Sequence, residues 1–210
     1  MNQSSLSRLY HECRKLQSEG RHEDALKLLE ASYCTRADHD PLYWVWKGAV
    51  LLSADRVKEA EDVLRAHLKR PDWPDGHPGI AYWLAAILER TDRLEAAAHV
   101  AAPWAARGDI DCAMVRFRAM FRMGKAEEVL TPLQRLAASA RSHVGVQLLF
   151  LEVVNHLGSA GQFQSHREVS ARCIQLLKNL KRAGVQFSPD ESNKFESLIP
   201  RDNGGFRIAK

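Results

Sequence analysis

Apolar residues recur along this chain at three- and four-residue spacing. Leu6, Leu9, Tyr10, Cys13 and Leu16 form one such stripe, the pattern of an amphipathic helix. Ala25, Leu28 and Leu29 begin a second. Leu42 to Leu52 is apolar almost all round, as expected of a helix covered on several sides. Its successor carries Val57, Ala60, Val63, Leu64 and Leu68. Ile80, Trp83, Leu84, Ile87 and Leu88 predict a further helix, followed by one with Leu94, Ala97, Val100, Ala101 and Trp104. Ala113, Met114, Phe117, Met120 and Phe121 precede Val129, Leu130, Leu133 and Leu136. Val144 to Leu157 is strongly apolar, and Val169, Cys173, Ile174, Leu177 and Leu180 form the last long stripe. No stretch alternates as a strand would.

These stripes come in pairs around a repeated turn. Gly20-Arg21-His22-Glu23-Asp24-Ala25, Asp55-Arg56-Val57-Lys58-Glu59-Ala60, Asp92-Arg93-Leu94-Glu95-Ala96-Ala97 and Gly124-Lys125-Ala126-Glu127-Glu128-Val129 share one plan, and Gly161-Gln162-Phe163 is a degenerate fifth. The turn residues stand at 20, 55, 92, 124 and 161, at intervals of 35, 37, 32 and 37. A Gly or Asp lets the chain reverse. Acidic residues then suit the first turn of the next helix. Ala25, Ala60 and Ala97 permit the two helices to approach closely. Asp40-Pro41 reads as a cap with proline at the first helical position. Ser188-Pro189-Asp190-Glu191 reads as a capping box opening a short helix to about Ile199. The preceding helix should stop after Lys181-Arg182-Ala183-Gly184.

At these residues the chain resembles the tetratricopeptide repeat family. The match rests on Leu9, Leu16, Gly20, Ala25 and Leu29; on Trp44, Gly48, Leu51, Ala60 and Leu64; and on Ala85, Leu88 and Ala97. It covers roughly residues 5–183. Val129 and His166 depart from the family's small residue, and two intervals clearly exceed its usual length of about 34. The resemblance implies an all-α, right-handed α-solenoid of about five helical hairpins with a C-terminal capping helix, in which stacked hairpins share one core. The expected division is 1–183 for the solenoid and 184–210 for a short helix and flexible tail.

The chain has 210 residues, 45% hydrophobic and 27% charged, so it has the apolar content for a core. No apolar run is long enough to span a membrane, and Met1 to Ser5 does not open a secretory signal; the expected location is cytoplasmic. Cys13, Cys34, Cys112 and Cys173 lie far apart, which suits reduced core thiols rather than disulfides or zinc. The net charge of +4 is uneven. Residues 162–210 hold 9 Lys+Arg and 5 Asp+Glu, leaving 21 of each in residues 1–161.

Candidate chemistry follows from the scaffold. In the family pattern the first helix of each hairpin lines a groove, which here implies Tyr10, Arg14, Gln17, Tyr82, Glu89, Met114, Arg118, Phe121 and Arg122, with Val45, Ala49 and Ala86 between them. Aromatic and Met anchors with three arginines suit an extended or helical peptide segment of another protein, acidic in part. Some family members clamp a chaperone-tail carboxylate with Lys and Asn; Tyr10 and Arg14 stand at those sites, so that specificity is not carried over. Self-association is compatible with the scaffold. The expected function is a protein-protein interaction scaffold, adaptor or chaperone that performs no chemistry. The sequence holds no phosphate loop, Gly-flanked Ser or paired His motif; no cofactor, metal or catalytic residue is assigned. His11 and Cys13 point to different helix faces. Asp72, Asp75 and His77 match no calcium loop, and Trp73 between prolines could serve as a contact or a lid. The alternative is a nucleic-acid or acidic partner bound by the basic C-terminal region, through His166, Arg167, Arg172, Lys178, Lys181 and Arg182; nucleic acid is the less favoured, since no base-reading motif is present.

Overall fold

The structure, a computed structural model, describes residues 3–32, 40–70, 76–159, 161 and 166–199. Cys34, Asp72, Trp73, Asp75 and the tail from 200 onward lie outside the described residues. Eleven helices are present among the described residues, and no strand. They are α1 (Gln3–Ser18), α2 (His22–Ala31), α3 (Pro41–Ser53), α4 (Val57–His67), α5 (Pro78–Arg90), α6 (Leu94–Ala106), α7 (Ile110–Arg122), α8 (Ala126–Ser139), α9 (Val144–Ser159), α10 (His166–Arg182) and α11 (Pro189–Leu198).

Local chemistry sets where these helices begin and end. The Asp40 carboxylate accepts from the Leu42 amide at 2.9 Å, ahead of Pro41. His77 does the same for α5: its Nδ1 accepts from the Gly79 amide at 3.1 Å, ahead of Pro78. Ser188 and Glu191 form the reciprocal capping box expected of them. All five turn residues read from the sequence adopt positive φ: Gly20 (74°), Asp55 (59°), Asp92 (60°), Gly124 (78°) and Gly161 (73°). Asp is among the few non-glycine residues that tolerate this region. Gly184 (φ 81°) follows the end of α10, where the stop was expected. The sequence reading did not single out Gly108 (φ 91°), which turns the chain from α6 into α7.

The chain forms two compact units, Met1–Ala119 and Met120–Lys210. The division falls within α7.

In the first unit α1 packs on α2, α3 on α4 and α5 on α6, and α3 packs also on α1, α2 and α5. Leu26, Leu29, Leu51, Leu64, Ile80, Leu84 and Leu88 fill the core. Ala25, Ala60 and Ala97 are fully buried. At Gly48 a Cβ would stand 2.7–2.9 Å from the Leu64 side chain, so only glycine lets α3 and α4 meet there.

In the second unit α9 packs on α8, α10 and α11. The sequence predicts a cap by α10, with the short helix after it folding back through Phe195 and Leu198. In the structure α11 lies on α9 with Phe195 buried, Phe187 beside that ring at 5.8 Å, and Lys194 paired to Glu152 at 2.6 Å.

Candidate functional site

The first helices of the leading hairpins, α1, α3 and α5, present an aromatic and polar face within the first unit. Tyr10 of α1 stacks on Trp46 of α3, with ring centroids 5.4 Å apart and planes 11° from parallel. The Tyr10 hydroxyl donates to Asp40 Oδ2 at 3.3 Å, so Asp40 serves both the ring and the α3 cap. Burial, reinforced by Asp40, pushes the Tyr10 ionisation up, and the hydroxyl stays a donor at neutral pH. One helical turn past Arg14, the Gln17 amide donates to Ser53 Oγ at 3.0 Å, tying α1 to the end of α3. Arg14 itself is exposed.

Farther along, α5 and α7 meet through charge. Arg118 grips Glu89 with two nitrogens: Nε lies 3.1 and 3.2 Å from the two carboxylate oxygens, and Nη2 lies 2.9 Å from Oε2. The Glu89 side chain is only 12% exposed and that of Arg118 36%. A desolvated carboxylate requires such a partner. Tyr82 is half-buried, edge-on to Trp83 at 5.2 Å. Burial raises its ionisation, with Asp111 adding to the effect and Arg118 opposing it.

The structure thus joins Tyr10 to Trp46, Gln17 to Ser53, and Glu89 to Arg118. Met114 is 6% exposed and belongs to the interior. Ala49 is buried, and Val45 and Ala86 are half-buried. Phe121 and Arg122 belong to the second unit; Phe121 there meets His156 edge-on at 5.3 Å, and Arg122 is exposed. Sequence reasoning missed Trp46. The signal was available: Trp46 and Trp83 each stand nine residues before the turn residue of their hairpin.

The described thiols are core groups. Cys13 and Cys112 are fully buried and Cys173 is 6% exposed. Burial pushes the Cys13 and Cys173 thiols up to about 11. His11 is exposed while Cys13 is not, which separates that pair. Among the described residues no three His, Cys, Asp or Glu side chains cluster to hold a metal ion. No helix among them is long and apolar enough to cross a membrane. On α10, Arg167, Arg172, Lys178, Lys181 and Arg182 are all exposed.

This hairpin geometry recurs in solved structures. A thermophilic TPR protein of Thermus thermophilus, TTC0263, superposes with a TM-score of 0.64 at 16% identity, covering 91% of this chain and 97% of that one. The fold is TPR-like. MamA from Desulfovibrio magneticus RS-1 (residues 41 to the end) gives 0.60 at 15% identity, covering 86% of this chain and 97% of its own. MamA of AMB-1 gives 0.53 at 15%, covering 95% and 100%. No protein-family model matches the chain, and no curated protein matches it in sequence. The TPR-like likeness is therefore one of architecture, with most side chains differing.

Proposed function

We propose that this protein is a non-catalytic interaction scaffold, an adaptor or chaperone of the cytoplasm, that holds a peptide segment of another protein against the first-helix face of its leading unit. One observation carries the reading. Half-buried aromatic rings, Tyr10 on Trp46 and Tyr82 beside Trp83, recur on successive first helices, interleaved with Arg14 and the Glu89–Arg118 pair. Rings that keep one face open are good anchors, because a ligand desolvates them at low entropic cost. Arg14 then meets acidic side chains, and the Glu89–Arg118 pair offers one carboxylate and one guanidinium for orienting a backbone or charged group. The known structures of similar fold favour a scaffold by analogy only.

The test is selection of peptides from a displayed library on the purified chain. Selected sequences should combine apolar and acidic residues. Trp46→Ala with Tyr82→Ala should remove their binding while the helical circular dichroism persists. Peptides that bind that variant unchanged overturn the proposal. The exposed cations of α10 favour the second reading, a polyanionic partner. A single-stranded oligonucleotide binding with a steep salt dependence, lost in Lys178→Glu with Arg182→Glu, would establish it instead.

A further inference from the structure

The first-helix face of the leading unit repeats itself row by row. Counted back from the turn residues 20, 55 and 92, Tyr10, Val45 and Tyr82 stand ten residues before. His11, Trp46 and Trp83 stand nine before, and Arg14, Ala49 and Ala86 six before. α1 packs on α3 and α3 on α5, and packed helices lie about 8–10 Å apart, axis to axis. Each row therefore advances by about that distance from one first helix to the next. A Cβ built at Gly79 would stand 3.0 Å from the Val45 side chain, so the start of α5 lies close on α3. Leu42, 44% exposed, extends the apolar strip of Val45 and Trp46 toward the start of α3.

The indole rings also carry unused donors. Among the described residues neither the Trp46 nor the Trp83 indole N–H has a hydrogen-bond partner, and neither nitrogen is sealed from water. The charges of α5 are matched within the protein: Glu89 by Arg118, and Arg90 by Asp55 at 3.1 Å. Arg14 of α1 is exposed and makes no ion pair among the described residues.

Resting on the peptide reading above, we propose that the occupant of this face is a proline-rich segment of another protein in the polyproline II conformation, with an acidic residue at its α1 end. The spacing selects that conformation. A polyproline II chain has three residues per turn and rises about 3.1 Å per residue, so side chains three apart share one face about 9.3 Å apart. That matches the advance from one first helix to the next. The two-residue repeat of a β-strand, about 6.6 Å, does not. Residues i, i+3 and i+6 of the segment then lie over Tyr10, Val45 and Tyr82. The donors select it too. Polyproline II has no internal hydrogen bonds, so carbonyls three residues apart are open to the Trp46 and Trp83 N–H groups. A helical ligand has satisfied its own carbonyls. Rigid apolar proline rings suit half-buried Tyr and Trp rings, because little freedom remains to be lost. Arg14 pairs with the acidic residue and sets which end of the segment lies on α1.

The experiment is a fluorescence-anisotropy titration of the full chain against four labelled peptides. The probe is acetyl-Glu-Glu-Pro-Pro-Leu-Pro-Pro-Leu-Pro-Pro-Leu-amide. Its comparators are the same peptide with Lys-Lys for Glu-Glu, one with Gly-Ser for every Pro-Pro, and an alanine-rich helical peptide carrying the same Glu and Leu residues. The probe should saturate with a Kd below about 100 μM, and each comparator should bind at least about tenfold more weakly. Trp46→Phe and Trp83→Phe each keep a ring and remove an N–H. Each should weaken the probe at least about threefold, the loss of one hydrogen bond, with the helical circular dichroism unchanged. Arg14→Glu should reverse the preference between the Glu-Glu and Lys-Lys peptides. A helical comparator that binds as tightly as the probe, and is lost in Trp46→Ala with Tyr82→Ala, overturns this inference and leaves the peptide reading standing. Probe binding undiminished in both Phe variants overturns it as well. Absence of saturable binding by all four peptides overturns the inference and the peptide reading together.

Discussion

Positions that are equivalent in the repeat have opposite fates in the two units. Tyr82 and Leu151 each stand ten residues before the turn residue of their hairpin, 92 and 161. Tyr82 is half-buried, with its phenol beside Glu89, Arg118 and Asp111. Leu151 is fully buried in a helix that buries ten of its sixteen residues. Four residues on, Ala86 is half-buried, whereas the Asn155 side-chain carbonyl accepts from Ser170 of α10 at 2.6 Å. A repeat position is therefore a geometric address, and its use depends on what covers it. On α1, α3 and α5 that address, held by Tyr10, Val45 and Tyr82, stays half-buried. In the second, α10 and α11 occupy the neighbourhood of α9.

The largest effect expected from this contrast is on stability. Leu151→Ala should cost about 2–5 kcal/mol in urea denaturation, the range for a leucine truncated in a tight core. Tyr82→Ala should cost clearly less and instead weaken the bound peptide. A Tyr82 variant as destabilised as the Leu151 variant would make the α5 face a core surface and break the comparison. Next come the polar contacts. Arg118→Ala takes the paired guanidinium from a Glu89 carboxylate at 12% exposure and should cost about 1–3 kcal/mol. Arg14→Ala, on an exposed side chain, should stay within about 0.5 kcal/mol. Ser170→Ala should cost about 1 kcal/mol by leaving Asn155 short of a donor.

Turn chemistry sits lower. Nothing lies within 4 Å of a Cβ built at Gly20. Gly20→Ala should still cost about 1–2 kcal/mol, because the penalty is in φ alone. The smallest effect is a pH dependence. Glu61 lies between Arg65 (2.7 Å) and Arg93, both charge-paired to it. The hydrogen bond from Arg93, followed by that from Arg65, lowers its carboxyl from 4.5 to about 2 against some desolvation. Because the folded value is the lower one, the contribution is complete above about pH 4.5 and fades as pH falls toward 2. The stability gap between the wild-type chain and Glu61→Gln should close over that window and stay constant above it.

Much of this was legible in the sequence for a simple reason. Turn residues, caps and apolar period are local, so Asp40-Pro41, Gly184 and Ser188 to Glu191 announce themselves within a few positions. The site was less legible because burial is set by neighbours far along the chain. Met114 looks like a groove anchor by register and sits in the interior at 6% exposure. Arg118 looks like a ligand-seeking cation and is gripped by Glu89, 29 residues away. Trp46 stands one position from Val45, and its stacking on Tyr10 is a contact between residues 36 positions apart. His77 shows the same limit at a helix start: its cap bond depends on a ring orientation that composition does not reveal.

The proline that opens α3, α5 and α11 also bears on how such a chain tolerates change in length. Each of these helices carries its own starting signal, a capping side chain followed at once by a residue already bent to helical φ. A residue added to the segment before Asp40, His77 or Ser188 need not shift the frame of the helix that follows. The unequal spacing of the turn residues fits such a chain. Epitope tags or fluorophore sites placed just upstream of Asp40 should therefore be accepted. The same insertion between Gly124 and Ala126, where a single residue separates turn from helix, should throw α8 out of phase with its partner.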